Sequence, residues 1–196
     1  MKKILFLNSH YNSGSVDLYD SLCLNSFIQG YRWNKQRIYL NHYDFFQILN
    51  QKHKRNDKHA IYLDEIYNNY ALSTRMDLSK CFFIHLIRAP NHLNLFSEKI
   101  NPNFIVRKYL YRLRRICEIA KRAPNSIFLD YKDLKKQDSM KKIKELLSLE
   151  EDVSIPDIKE AKSKKDFIPY DLMKKAEEGY EKYYAYLDQL NFSQPP

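Results

Sequence analysis

Glycine is scarce, with 3 residues in 196, cysteine equally so with 3, and tryptophan occurs once. Each shortage excludes something. Cys23, Cys81 and Cys117 are odd in number and widely spaced, so no disulfide framework can be read from them; they suit buried free thiols in a reducing cytoplasm. No apolar stretch approaches the roughly 18 residues that cross a bilayer as a helix, so no membrane span is expected. The apolar run after Lys2 and Lys3 stops at Asn8-Ser9-His10, short of an export signal's hydrophobic segment, and a cytoplasmic location is the expectation. None of the glycines is followed by Lys-Ser or Lys-Thr, so the phosphate loop of ordinary ATPases and kinases is missing.

What is present is an ordinary globular balance of 44% hydrophobic and 29% charged residues, in a length suited to a single domain over 1–196. Lys and Arg number 33 against 24 Asp and Glu, a formal charge of +9. An anionic partner follows as an expectation: nucleic acid, an acidic surface or a phosphorylated small molecule. Charge alone does not choose among them, because many lysines of such a chain are simply solvated.

The run Ile4-Leu5-Phe6-Leu7, bounded by polar residues, predicts a strand buried on both faces. A polar loop over 8–15 containing Gly14 follows, then a helix over 16–27. A second strand is read at 38–40, a short helix at 43–49 and a charged surface loop at 50–57. Over 60–72, Leu63, Ile66, Tyr67 and Tyr70 fall on helical spacing and predict a helix. Cys81 to Ile87 is a β-rich run ended by Arg88-Ala89-Pro90, where the proline forces the chain out of the ladder. Val106, Tyr109, Leu113, Ile116, Cys117 and Ala120 trace one face of a helix over 104–122. A strand over 126–131 and helices over 138–149 and 171–190 complete the chain. This alternation implies a three-layer α/β/α fold around a central parallel sheet, with ligands gathering beyond the carboxyl ends of the strands. The loops at 8–15, 88–96 and 130–134 are the places to look for chemistry.

Gly14 lies between a strand and a helix, where it lets the backbone curl until successive N–H groups and the helix dipole face an anion. Ser13 and Ser15 can add hydroxyl donors. The same residues also suit an ordinary turn in which Ser15 caps the helix. Arg88, at the end of a strand, can grip a phosphate bidentately or form a surface salt bridge. Arg112 and Arg115 lie one turn apart on a basic helix face that could meet an anion or lie along nucleic acid.

In order and spacing, these segments resemble the sulfotransferase family. Leu7-Asn8-Ser9-His10-Tyr11-Asn12-Ser13-Gly14-Ser15-Val16 is similar to its strand and 5′-phosphosulfate loop, and Phe83-Ile84-His85-Leu86-Ile87-Arg88-Ala89-Pro90 to its second signature. The helix carrying Arg112 to Arg122, followed by Phe128-Leu129-Asp130-Tyr131-Lys132-Asp133-Leu134, is similar to a segment of bacterial members. The resemblance implies a P-loop NTPase-like fold and 3′-phosphoadenosine-5′-phosphosulfate as co-substrate. It places Asn12, Ser13, Gly14, Ser15 and Val16 on the 5′-phosphosulfate and Arg88 and Ser97 on the 3′-phosphate. The acceptor would be a small molecule or glycan bearing a hydroxyl or amine; neither nucleic acid nor metal is implied. Asn12 stands where the family usually carries lysine or arginine, and Phe96, followed by Ser97, where it usually carries serine. Transfer also needs a group that removes the acceptor's proton, and His10, Asp64 and Glu65 are the candidates. Two other readings stay open: a catalytically degenerate nucleotide-binding protein of the same fold, and a basic nucleic-acid-binding protein.

Overall fold

Short apolar runs become the strands β1 (Ile4–Ser9), β2 (Ile28–Arg32), β3 (His59–Asp64), β4 (Phe82–Ile87) and β5 (Ser126–Asp130). They pair in parallel in the order β2-β3-β1-β4-β5. The computed structural model from which these are taken describes residues 3–10, 12–32, 58–64, 78–95, 99–158 and 167–193. Its α-helices are α1 (Ser15–Cys23), α2 (Pro102–Ala120), α3 (Gln137–Leu147) and α4 (Tyr170–Ser193).

β1 has a strand on each side and helices over both faces, so Leu5, Phe6, Leu7 and Asn8 are all 1% exposed or less. Register decides which side chain meets which helix. Leu7 is aligned with Leu63 and Ile84, on the face covered by Leu18 and Leu22 of α1 and Met140, Ile143 and Leu147 of α3. Phe6 is aligned with Tyr62 and Phe83, their rings stacked at centroid distances of 5.7 and 5.2 Å, on the opposite face beneath Ile119 of α2. Ile87 and Phe128 extend that second face toward α2 and α4. Each such large side chain contributes about 1.5–3 kcal/mol by leaving water.

α2 starts two residues before the predicted 104 because Asn101 caps it, its side chain accepting from Asn103 N at 2.9 Å, with Pro102 in the first turn. β5 stops at Asp130, one residue short of the predicted end. The Asp130 carboxylate accepts from Lys132 N at 3.0 Å and turns Tyr131–Asp133 into a 3-10 turn.

Two expectations are corrected. The helix read over 60–72 is, in its described part, strand β3. Ala60, Ile61, Tyr62 and Leu63 are all buried between β1 and β2, and a run apolar at every position satisfies helical and strand spacing alike. The helix expected over 16–27 ends at Cys23, and β2 follows from Ile28. The polar composition of Ile28-Gln29-Gly30-Tyr31-Arg32 hides that strand. Its Gly30 is needed because a side chain there would collide with Cys23 Sγ and the Tyr19 hydroxyl of α1. The strand read at 38–40, the helix at 43–49 and the loop at 50–57 lie outside the described residues, as do Glu65 and Ser97.

Among the described residues no helix is long and apolar enough to cross a membrane, and no group of three His, Cys, Asp or Glu could hold a metal ion. Cys23, Cys81 and Cys117 are free thiols, the last two buried.

Candidate functional site

The strand order makes the boundary between β1 and β4 a topological switch point. From β1 the chain runs by α1 to β2, on one side of the sheet; from β4 it runs by α2 to β5, on the other. The loops leaving β1 and β4 therefore diverge, and the crevice between them is where parallel sheets receive ligands.

The loop after β1 curls through two left-handed residues, Asn12 at φ 56° and Gly14 at φ 82°. Gly14 is also the cap of α1 and, having no side chain, leaves the helix without a side-chain acceptor at its positive end. Asp17 supplies a carboxylate in the first turn. Ser13 and Ser15 are 0% and 1% exposed, and Ser13 Oγ has no hydrogen-bond partner among the described residues. Val16 is half-buried against the core of the α1 face.

Arg88, just past β4, meets this loop. Its backbone N–H donates to His10 Nε2 at 2.9 Å, and its Nη1 donates to the Asn12 carbonyl at 2.9 Å. The Tyr109 hydroxyl of α2 donates to the Arg88 carbonyl at 2.7 Å. The guanidinium carbon lies 3.7 Å from the centroid of the Tyr131 ring, in the turn after β5. The edge of that ring touches Gly14: a Cβ added there would lie 2.8 Å from Tyr131 Cδ2. Three loops, those after β1, β4 and β5, thus converge on one arginine.

Histidines and a second arginine brace the cluster from the α2 side. The His10 ring, 2% exposed, stacks on His92 at 5.0 Å and meets Tyr109 edge-on at 5.1 Å. His92 Nδ1 donates to the Ala89 carbonyl. Burial pulls the His92 pKa down to about 4, against the bond to Ala89 and with some help from the Arg88 charge. Arg112, also buried, donates through Nε to the Ser9 carbonyl at 3.1 Å and through Nη2 to the same oxygen. It therefore anchors the end of β1, while Arg115 pairs with Glu118. Asn8 and His85, register partners on β1 and β4, share a buried hydrogen bond of 3.1 Å, and burial holds the His85 pKa at about 3.

Of the residues singled out from sequence, the loop of Asn12, Ser13, Gly14 and Ser15 is brought together with Arg88 and His10. Asp64 ends β3 in register with Asn8, so its backbone lies at the same sheet edge. Ser13 and Ser15, expected to add hydroxyl donors, are both buried. Tyr131, Tyr109 and His92 were not singled out as site residues: Tyr109 belongs to the apolar stripe of its helix, and Tyr131 reads as the end of a strand.

On the far side of the turn after β5, Asp130 is 3% exposed, accepts from the Tyr180 hydroxyl of α4 and lies 3.5 Å from Lys132 Nζ. Burial, with the Asp130 charge adding to it, raises the pKa values of Tyr109 and Tyr180, which stay protonated. A separate groove of about 390 Å³ runs along α3 between Met140, Lys144, Asp152 and Val153 and shares no residue with the Arg88 cluster. No protein-family model and no curated protein matches the chain.

Proposed function

We propose that the protein is a sulfotransferase with a P-loop NTPase-like fold, moving a sulfuryl group from 3′-phosphoadenosine-5′-phosphosulfate to a hydroxyl or amine of a small molecule or glycan. The observation that carries this reading is the junction of Arg88 with the Gly14 loop, 2.9 Å from Nη1 to the Asn12 carbonyl, at the switch point beside β1. An arginine beside an uncapped helix N-terminus is a two-part site for a doubly anionic ligand. The buried Ser13 hydroxyl, without a partner among the described residues, is in keeping with it.

In this reading the backbone amides at Gly14, Ser15 and Val16 hold the 5′-phosphosulfate, and Arg88 exchanges the Asn12 carbonyl for the 3′-phosphate. The acceptor oxygen or nitrogen attacks sulfur as the bond from sulfur to the bridging phosphate oxygen breaks in line. The acceptor's proton passes to a base, and adenosine 3′,5′-bisphosphate leaves. Negative charge grows on the leaving phosphate, where preorganised amides act at no reorganisation cost. Asp64, whose backbone ends β3 in register with Asn8 of β1, is our choice of base.

Asn12 gives the loop no positive charge for the leaving group. That favours, as a second reading, a protein that binds the nucleotide without turning it over. Calorimetry with adenosine 3′,5′-bisphosphate tests the site: binding is expected, and none at millimolar ligand rejects it. Arg88→Ala is expected to weaken binding by about 1.5–3 kcal/mol. Consumption of labelled donor across an acceptor panel separates the enzyme from the silent binder.

A further inference from the structure

We infer that His10 is a positioning residue, a latch that fixes the Arg88 backbone against the first loop, and is not the group that takes the acceptor's proton. The inference rests, for its ligand, on the function proposed above. A backbone N–H only donates, so the 2.9 Å contact from Arg88 N to His10 Nε2 requires the Nε2 lone pair, and the ring is neutral with its proton on Nδ1. A proton arriving at Nε2 would set one N–H against another and part the two loops.

The surroundings support a latch. His10 is 2% exposed and held between the faces of His92 and the edge of Tyr109. Both neighbours grip the same stretch of chain: His92 Nδ1 donates to the Ala89 carbonyl, and the Tyr109 hydroxyl to the Arg88 carbonyl. Both backbone polar groups of Arg88 are thus fixed by rings in mutual contact. The side chain then reaches the Asn12 carbonyl with its guanidinium lying over the Tyr131 ring. His10 lies on the chain next to the loop it serves, and Arg88 78 residues on, so this bond sets the spacing between the two halves of the anion site.

Nitrogen NMR of the ligand-free protein reads the latch directly. His10 is expected as the Nδ1–H tautomer with an unprotonated Nε2 coupled to the Arg88 amide; the opposite tautomer overturns the inference. Glutamine can present its side-chain oxygen where Nε2 stands, whereas phenylalanine keeps the ring and loses the acceptor. His10→Gln is therefore expected to bind adenosine 3′,5′-bisphosphate within about threefold of wild type, and His10→Phe about tenfold more weakly. Equal weakening in both variants overturns the inference, as does a His10→Gln protein that binds normally but has lost only its kcat. Failure of the wild-type protein to bind the nucleotide rejects the proposed function instead, and the tautomer still decides the latch.

Discussion

At Gly14 the backbone sits at φ 82° and the Tyr131 ring lies where a Cβ would go, 2.8 Å away. Alanine there meets backbone strain and a clash together, so Gly14→Ala is expected to lower stability by about 1–3 kcal/mol, read from the denaturant midpoint. Acid sensitivity belongs to the same scale. Burial lowers the His85 pKa to about 3 and the His92 pKa to about 4 from an ordinary 6.5. The unfolded chain therefore binds more protons in the window between these values and 6.5. Stability is full above about 6.5 and falls as pH drops through it, by about 2 kcal/mol per histidine at pH 5. Denaturant titrations from pH 7 to 5 should show this decline, and His85→Gln should make it shallower; equal slopes would remove His85 as a cause.

Elements in this chain are held by a few polar contacts placed at their ends. The cap of α2 is Asn101, whose side chain accepts from Asn103 N. Asn101→Ala should cost about 1 kcal/mol and lower Tm, while leaving the fold as judged by circular dichroism. The long C-terminal helix α4 lies on α2 through Ala176 and Leu187 and is pinned to the sheet by the hydrogen bond from Tyr180 to the buried Asp130. Tyr180→Phe keeps the ring and deprives that carboxylate of a donor, for an expected loss of about 1–3 kcal/mol. Limited proteolysis should then find α4 cut earlier than in wild type. α1 begins at a glycine cap that offers no side-chain acceptor, with the Asp17 carboxylate in its first turn. A helix left so at its positive end is the place where an anion adds most.

On the scale of the whole molecule, a net charge of +9 draws anions of every kind, and an anion site built on Arg88 and the Gly14 loop would favour the small ones. Adenosine 3′,5′-bisphosphate should resist displacement by duplex DNA at 150 mM salt, roughly physiological strength, with any duplex affinity falling steeply as salt rises. Fluorescence competition across a salt series checks this, and tight, salt-resistant duplex binding would argue for a nucleic-acid partner. β1, β4, β5, α2, α3 and α4 can be read from the sequence because each run has one dominant period or is apolar throughout and too short for a helix. β3 cannot, since Ala60 to Leu63 satisfies both periods, nor can β2, whose Gly30 answers to the crowding of Tyr19 and Cys23. Likewise Gly14 and Arg88 stand out along the chain, one in the loop between a strand and a helix, the other just past the end of a strand. What the chain by itself determined was local: which residues prefer strand or helix, and where the backbone can turn left-handed. Only the tertiary structure decided that Arg88 is held by His10, Asn12, Tyr109 and Tyr131 at once, because those contacts join residues from four separate segments and depend on the register of a parallel sheet.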